Sequence, residues 1–126
     1  VQPDFLQRNT AQEQRRWARA EQHCQQALVI FIELDDRYSQ AHLYHDMGRL
    51  AQVQLQWAPE RQYMLEAFTI FRAYDDRHRM GITLRSLARL WRDSGDATLP
   101  GTTAKIGGIT PAEMETLFRQ VLAKDK

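Results

Sequence analysis

The sequence contains few of the residues that cross-link a chain or interrupt its helices. Cys24 is the only cysteine among 126 residues, so an internal disulfide and a zinc site built on several cysteines are both excluded. Ahead of residue 95, glycine and proline are confined to Pro3, Gly48, Pro59 and Gly81. Because these two residue types often end helices, their scarcity favours long, uninterrupted helices.

Long apolar stretches and an excess of one charge are also lacking. The longest apolar run, residues 27–32, is far shorter than the roughly 18 residues needed to cross a bilayer. Seventeen basic and sixteen acidic side chains give a formal net charge of +1, which argues against binding nucleic acid or membrane through overall charge alone. Neither an initiator Met nor a secretory signal pattern begins the sequence, so we expect a cytoplasmic piece of a longer protein.

What the sequence does contain is a repeat with a fixed offset of forty residues. Identical residues recur in the same order, at aromatic, aliphatic and charged positions alike. The matches pair Trp17-Ala18 with Trp57-Ala58, Gln22 with Gln62, Ala27 with Ala67, Ile30-Phe31 with Ile70-Phe71, Asp35-Asp36-Arg37 with Asp75-Asp76-Arg77, and Arg49-Leu50 with Arg89-Leu90. Chance matches would not keep one register, so the two segments are predicted to share one structure.

Each repeated unit is predicted to be a pair of antiparallel helices. Its apolar residues recur at spacings of three and four, the period of a helix, in two runs separated by an aspartate doublet. Gly48 and Ala88 occupy the same position in the second run, where a small side chain lets a neighbouring helix approach closely. Stacking of such pairs buries a continuous core, and the apolar quartet 29–32 is predicted to be covered on more than one side.

The aspartate doublets at 35–36 and 75–76 allow two interpretations. Paired carboxylates could hold a metal ion or act in acid–base chemistry. Because the doublet recurs at the repeat offset beside an arginine, the favoured interpretation is a local ion pair and capping of the next helix by Asp36 and Asp76.

These residues resemble a known family. The pattern Ala-Leu-x-Ile-Phe-x-x-x-x-Asp-Arg from residue 27, followed by Ala-x-x-Tyr-x-x-Met-Gly-Arg-Leu-Ala from residue 41, resembles the long-period tetratricopeptide (TPR) repeats of bacterial signalling arrays. The resemblance covers about residues 12–95 and implies a scaffolding or protein-binding module within a larger bacterial signalling protein. Two residues depart from the pattern: Glu60 stands where a small residue such as Ala20 is expected, and Pro59 precedes it.

By this resemblance, the first helix of each hairpin lines a concave face that holds a peptide or partner helix, and alignment on Gly48 and Ala88 identifies these helices as the runs that follow the aspartate doublets. The polar positions that face inward are predicted to be His42, His45, Arg49, Gln52, Arg85, Arg89 and Arg92. The spacing of three and four independently places 45, 49 and 52 on one stripe, and 85, 89 and 92 on another. The result is a basic groove suited to an acidic segment or a carboxylate. The alternative is a solvated face with Asp46 and Asp93 as local counterions.

The sequence gives only weak evidence for a metal site or a catalytic site. His42 and His45 lack a third ligand of suitable spacing, so no metal is expected. Cys24 lies on the apolar stripe and is predicted to be a buried small hydrophobe. No glycine-rich phosphate loop or Gly-x-Ser-x-Gly elbow occurs, so neither enzyme activity nor a cofactor is predicted. Self-association through the open N-terminal end of the repeats is a further hypothesis.

The last thirty residues differ in pattern. The stretch Thr110-Pro-Ala-Glu113 is a capping box that begins a helix. Residues 104–114 are similar to a helix-turn-helix core, which makes a DNA-binding regulator acting through residues 98–126 the alternative function. Four basic and four acidic side chains in residues 96–126 cancel, which leaves little charge for phosphate contacts. The favoured interpretation is a terminal cap on the repeats.

The sequence therefore predicts an all-α fold with two parts. Residues 1–95 form a right-handed superhelix of antiparallel helix pairs, and residues 96–126 form a helix-turn-helix-like cap. Helices are predicted near 12–35, 37–54, 58–76, 78–93, 101–107 and 111–123. The predicted function is protein–protein interaction through the basic groove.

Overall fold

The computed structural model describes the backbone of residues 3–125 and the side chains of residues 11–125, and this part of the chain is all-helical. Its six helices are α1 (Pro3–Glu33), α2 (Arg37–Val53), α3 (Trp57–Ala73), α4 (Arg77–Ser94), α5 (Leu99–Gly107) and α6 (Pro111–Lys124). The predicted bounds of α2 to α6 are close to those observed, whereas α1 begins at Pro3 and not near residue 12. None of the described helices combines the length and apolar character needed to cross a membrane.

The first three connections between helices share one geometry. Asp35, Leu55 and Asp75 have positive φ angles of 55°, 57° and 53°, and each is followed by the N-cap residue of the next helix. Asp36 Oδ1 accepts a hydrogen bond from the backbone N of Ser39 at 3.0 Å. Asp76 caps α4 in the same way, which confirms the capping prediction for both aspartates, whereas Gln56 makes no side-chain cap for α3.

Each of the first four helices packs chiefly on its neighbours in sequence. The pairs α2–α3 and α3–α4 have the most extensive contacts, and α4 also packs on α6 while α3 packs on α5. Gly48 allows the close approach of α3, because a Cβ atom at this position would lie only 2.8 Å from Met64 Cε. The prediction of a small residue at a helix contact is confirmed at this position.

Two clusters of buried side chains form the core, and both lie outside α1. The larger joins α3 to α6 and consists of Met64, Phe68, Leu87, Ala88, Leu90, Leu99, Ala104, Met114 and Phe118. The smaller joins α2 and α3 and consists of Ala41, Ala67, Ile70 and Phe71. The described structure is therefore held together mainly from α2 onwards.

The apolar quartet at the end of α1 is exposed, and the prediction that it is covered on more than one side is wrong for the described structure. Val29, Ile30 and Ile32 are 55%, 53% and 53% exposed. The physical reason is that α2 is the only described helix that packs extensively on α1. The opposite face of α1 has no helix against it within residues 3–125.

The C-terminal helices are fastened to the repeats by polar contacts as well as by the core. Arg61 of α3 donates hydrogen bonds to Asp96 and to Thr102, each at 3.0 Å. The α5–α6 turn contains Gly108 with a φ of 76°, followed by the predicted capping box, in which Thr110 and Glu113 bond reciprocally at 3.1 and 2.9 Å. Met114 and Phe118 then bury one face of α6.

Candidate binding groove

A polar pocket of about 190 Å³ lies between α2 and α4. We call it the basic pocket, and it is lined by His45, Arg49, Gln52, Ile82, Arg85, Ser86 and Arg89. Five of the seven predicted partner-binding residues therefore lie around one cavity. Three of the lining side chains are arginines and none is acidic, so the pocket itself carries a positive charge.

The helical period brings these side chains together. Positions 45, 49 and 52 of α2 are spaced by four and three, so they project from one face of that helix. Positions 82, 85, 86 and 89 do the same on α4. Helix α3 follows α2 and precedes α4 in the chain, and it packs on both. The chain therefore reverses direction twice, which brings the polar faces of α2 and α4 to the same cavity. Because each stripe depends only on the spacing within its own helix, the sequence could predict both stripes.

Two of the predicted residues lie elsewhere. His42 does not line the basic pocket; its ring packs edge-on against Tyr38 and Phe71, with centroid distances of 4.9 and 5.3 Å. Arg92 lies one helical turn beyond Arg89 and forms an ion pair with its neighbour Asp93 at 2.8 Å. It lines an adjoining groove described below.

One ring nitrogen of His45 lacks a hydrogen-bond partner among the described residues. This atom, Nε2, is buried. Burial lowers the pKa of the ring, and the positive charges of Arg49 and Arg79 lower it further, against an opposing effect of Asp46. The imidazole is therefore expected to be neutral near pH 7, and the pocket's charge comes from its arginines.

The pocket arginines have a counterion that the sequence did not indicate. Arg89 Nε donates to Asp125 Oδ2 at 2.6 Å, and Arg85 Nε lies 4.0 Å from Asp125 Oδ1. The hydrogen bond from Arg89 is the main cause of the lowered pKa of Asp125. Of the counterions proposed from the sequence, Asp93 pairs with Arg92, and Asp46 has no ion pair within the described residues. A pairing across 36 positions leaves no local pattern in the sequence.

A second cavity of about 770 Å³ adjoins the basic pocket between α4 and α6. We call it the aromatic groove, and it is lined by Trp91, Arg92, Gly95, Ala97, Glu115, Arg119, Leu122, Ala123 and Asp125. The guanidinium of Arg119 lies 5.2 Å from the centroid of the Trp91 ring, and Trp91 packs on Phe118 at 5.7 Å. The sequence does not indicate this groove, because it forms only where α6 packs on α4.

Cys24 and the possible metal sites give weaker evidence of a functional site. Cys24 is half-buried, not buried as predicted, and lines an open cleft between α1 and α2 with Trp17 and Asp46. Burial raises the pKa of its thiol, which disfavours the reactive thiolate. Among residues 11–125, no group of three or more His, Cys, Asp or Glu side chains could hold a metal ion.

The helix-turn-helix-like segment consists of α5, the turn at Gly108 and α6. Two acidic residues lie in the first turns of α6: Glu113 is held in the capping box, and Glu115 is exposed and pairs with Arg119 at 3.8 Å. Carboxylates at this end of a recognition helix repel phosphates.

Comparisons of the chain with protein-family models, with curated proteins and with solved structures found no match.

Proposed function

We propose that this chain is a TPR-like helical-repeat module that binds an acidic segment of a partner protein in the groove between α2 and α4. The observation that carries the proposal is the basic pocket, where three arginines from two helices surround one cavity without a lining carboxylate. Superhelical stacking of the helix pairs is part of the proposal, supported by the forty-residue offset and by the similar backbone turns after α1, α2 and α3.

The chemistry of the pocket favours a carboxylate ligand. Guanidinium groups donate several N–H bonds in a fixed plane and match the two oxygens of a carboxylate. Arg49 makes no ion pair within the described residues, so its guanidinium group can donate to a ligand at the cavity. Gln52 and Ser86 add neutral polar groups that can bond to a peptide backbone.

A binding role is favoured over catalysis by what the pocket lacks. Ser86 and His45 both line the cavity, yet no hydrogen bond joins the hydroxyl to the imidazole. A serine nucleophile needs a base within hydrogen-bond reach. By its resemblance to signalling arrays, the module is proposed to act as a cytoplasmic scaffold within a larger bacterial signalling protein.

The proposal can be tested with a labelled peptide of ten glutamates, using fluorescence anisotropy at near-physiological salt. We expect saturable binding that Arg49→Glu weakens at least about tenfold, equivalent to 1.4 kcal/mol, because the variant places a carboxylate at the cavity. Arg77→Glu is the matched control, since Arg77 lies outside the groove, is 88% exposed and undergoes the same charge change. Its affinity should equal that of the wild type.

Two further probes separate the alternatives. A Gly-Ser peptide of equal length should not bind, because it has no carboxylates. A labelled DNA duplex tests the alternative function through residues 98–126. Tight, salt-sensitive duplex binding without peptide binding would replace the proposal by DNA recognition, and equal peptide affinities for Arg49→Glu and Arg77→Glu would remove the basic pocket as the site.

A further inference from the structure

One carboxylate of the chain lines the aromatic groove and already pairs with two arginines of the basic pocket. Asp125, at the C-terminal end of α6, places its two oxygens toward Arg89 at 2.6 Å and Arg85 at 4.0 Å. Both arginines line the basic pocket, and only 20% of the Asp125 side chain is exposed. A single carboxylate thus bridges two guanidinium groups, which is the arrangement expected for an acidic side chain of a bound peptide.

We propose that Asp125 is an internal competitor for the basic pocket, and that ligand binding requires the end of α6 to release Arg85 and Arg89. This inference rests on the proposed function and adds to it a form of control. It also specifies the ligand chemistry as a side-chain or terminal carboxylate, because that is the group the two arginines hold now. Arg49 would make the first contact, since Asp125 does not occupy it.

The ion pairs of Asp125 with Arg85 and Arg89 are exposed enough for a ligand carboxylate to replace Asp125. The side chains of Arg85 and Arg89 are 53% and 38% exposed, so water and salt screen their attraction to Asp125. Asp125 is the C-cap residue of α6, whereas the residues that anchor this helix in the core, Met114 and Phe118, lie two or more turns earlier. Val121 and Leu122 also pack against the larger core cluster, so only residues 123–125, beyond these contacts, can move without disturbing the core.

The aromatic groove would change together with the basic pocket. Asp125, Leu122 and Ala123 line that groove from the last turn of α6. Movement of Ala123 and Asp125 away from α4 would widen this groove. An apolar side chain next to the ligand's carboxylate would then find an aromatic surface to pack on.

The test compares Asp125→Asn with the wild type in the glutamate-peptide assay. Removing the competing charge should lower the apparent dissociation constant by about three- to tenfold, because a larger fraction of molecules has an open pocket. Asp75→Asn is the matched control: it removes one carboxylate from an exposed position paired with Arg77, and asparagine tolerates the positive φ found there. Its affinity should stay at the wild-type value.

The outcomes separate the two proposals. If the wild type binds the peptide and Asp125→Asn binds it equally or more weakly, the competitor is excluded and the proposed function stands. If neither protein binds it, both proposals are wrong. A second measurement uses the wild type alone: a saturating peptide should speed amide hydrogen exchange in residues 123–125 and leave residues 112–118 unchanged. Slower exchange in the last turn would overturn the inference.

Discussion

Helices α1 and α3 carry the same Ile-Phe pair forty residues apart, yet their environments differ sharply. Ile30 is 53% exposed and Ile70 is 2% exposed. Phe31 is half-buried, whereas Phe71 is 1% exposed. Because α3 is packed between α2, α4 and α5 while α1 is packed extensively only by α2, the neighbours and not the local sequence decide burial. One sequence pattern therefore supplies a core in the second unit and an apolar surface in the first.

The largest expected effect is on stability, and it compares alanine substitutions at Ile70 and Ile30. Ile70→Ala should lower the free energy of unfolding by about 3 kcal/mol, because it empties a filled site in the core. Ile30→Ala should cost less than about 1 kcal/mol, since half of this side chain is already in water. Urea unfolding of both variants measures the difference. Similar losses would mean that a second copy covers α1 in solution, which would appear as a concentration-dependent mass.

The second contrast sets Glu60 against Ala20, the residue in the same position of the first unit. Glu60 is 2% exposed, and burial together with the Asp93 carboxylate raises its pKa to about 7. An acid whose pKa is raised on folding binds its proton more tightly in the folded state. Its protonated form therefore favours folding, fully so below the ordinary pKa near 4.5, and this stability is lost as the pH rises through 7.

Glu60→Gln should flatten this pH dependence. The variant keeps the shape of the protonated acid and cannot ionise, so we expect it to raise the free energy of unfolding by about 2 kcal/mol at pH 8. At pH 4.5 the two proteins should differ by less than about 0.5 kcal/mol, because the wild-type side chain is then mostly protonated in the folded state. Chemical unfolding at both pH values checks this. A variant that is less stable at pH 8 would show that the carboxylate is needed in its charged form.

The smallest effect concerns the two glycines within helices α2 and α4. Gly81 has open space where a Cβ would be added, so Gly81→Ala should stabilise the protein by about 0.5–1 kcal/mol through reduced backbone freedom in the unfolded state. At Gly48 the same change brings Cβ to 2.8 Å from Met64 Cε, and the displacement of Met64 should cancel that gain. Thermal unfolding of the pair measures both. Equal stabilisation by the two changes would mean that α2 and α3 are less closely packed than described.

The repeat offset made much of this fold predictable. Once Gly48 and Ala88 were aligned, helical spacing placed His45, Arg49 and Arg85 on facing stripes, and these side chains do line one pocket. Capping by Asp36 and the Thr110 box followed from local chemistry, which acts over three or four residues.

What the sequence did not reveal depends on the distances between helices. His42 turns to Tyr38 and Phe71 because an aromatic cluster lies within its reach, which spacing alone does not indicate. The partner of Arg89 is Asp125, 36 residues away, and it is placed by how α6 packs on α4. The exposure of residues 29–32 depends on which helices surround α1, not on the composition of the quartet itself.

The hydroxyl of Tyr38, in the first turn of α2, donates a hydrogen bond to the Asp76 carboxylate that caps α4. The two walls of the groove are thereby clasped at their N-terminal ends. At the other end, no side-chain hydrogen bond or ion pair links the last turns of α2 and α4 among the described residues. At that end the two walls are held only through α3, the one described helix that packs extensively on both of them, so any widening of the groove is expected there. A bulky ligand is therefore expected to meet the least resistance at the end of the basic pocket marked by Gln52 and Arg89.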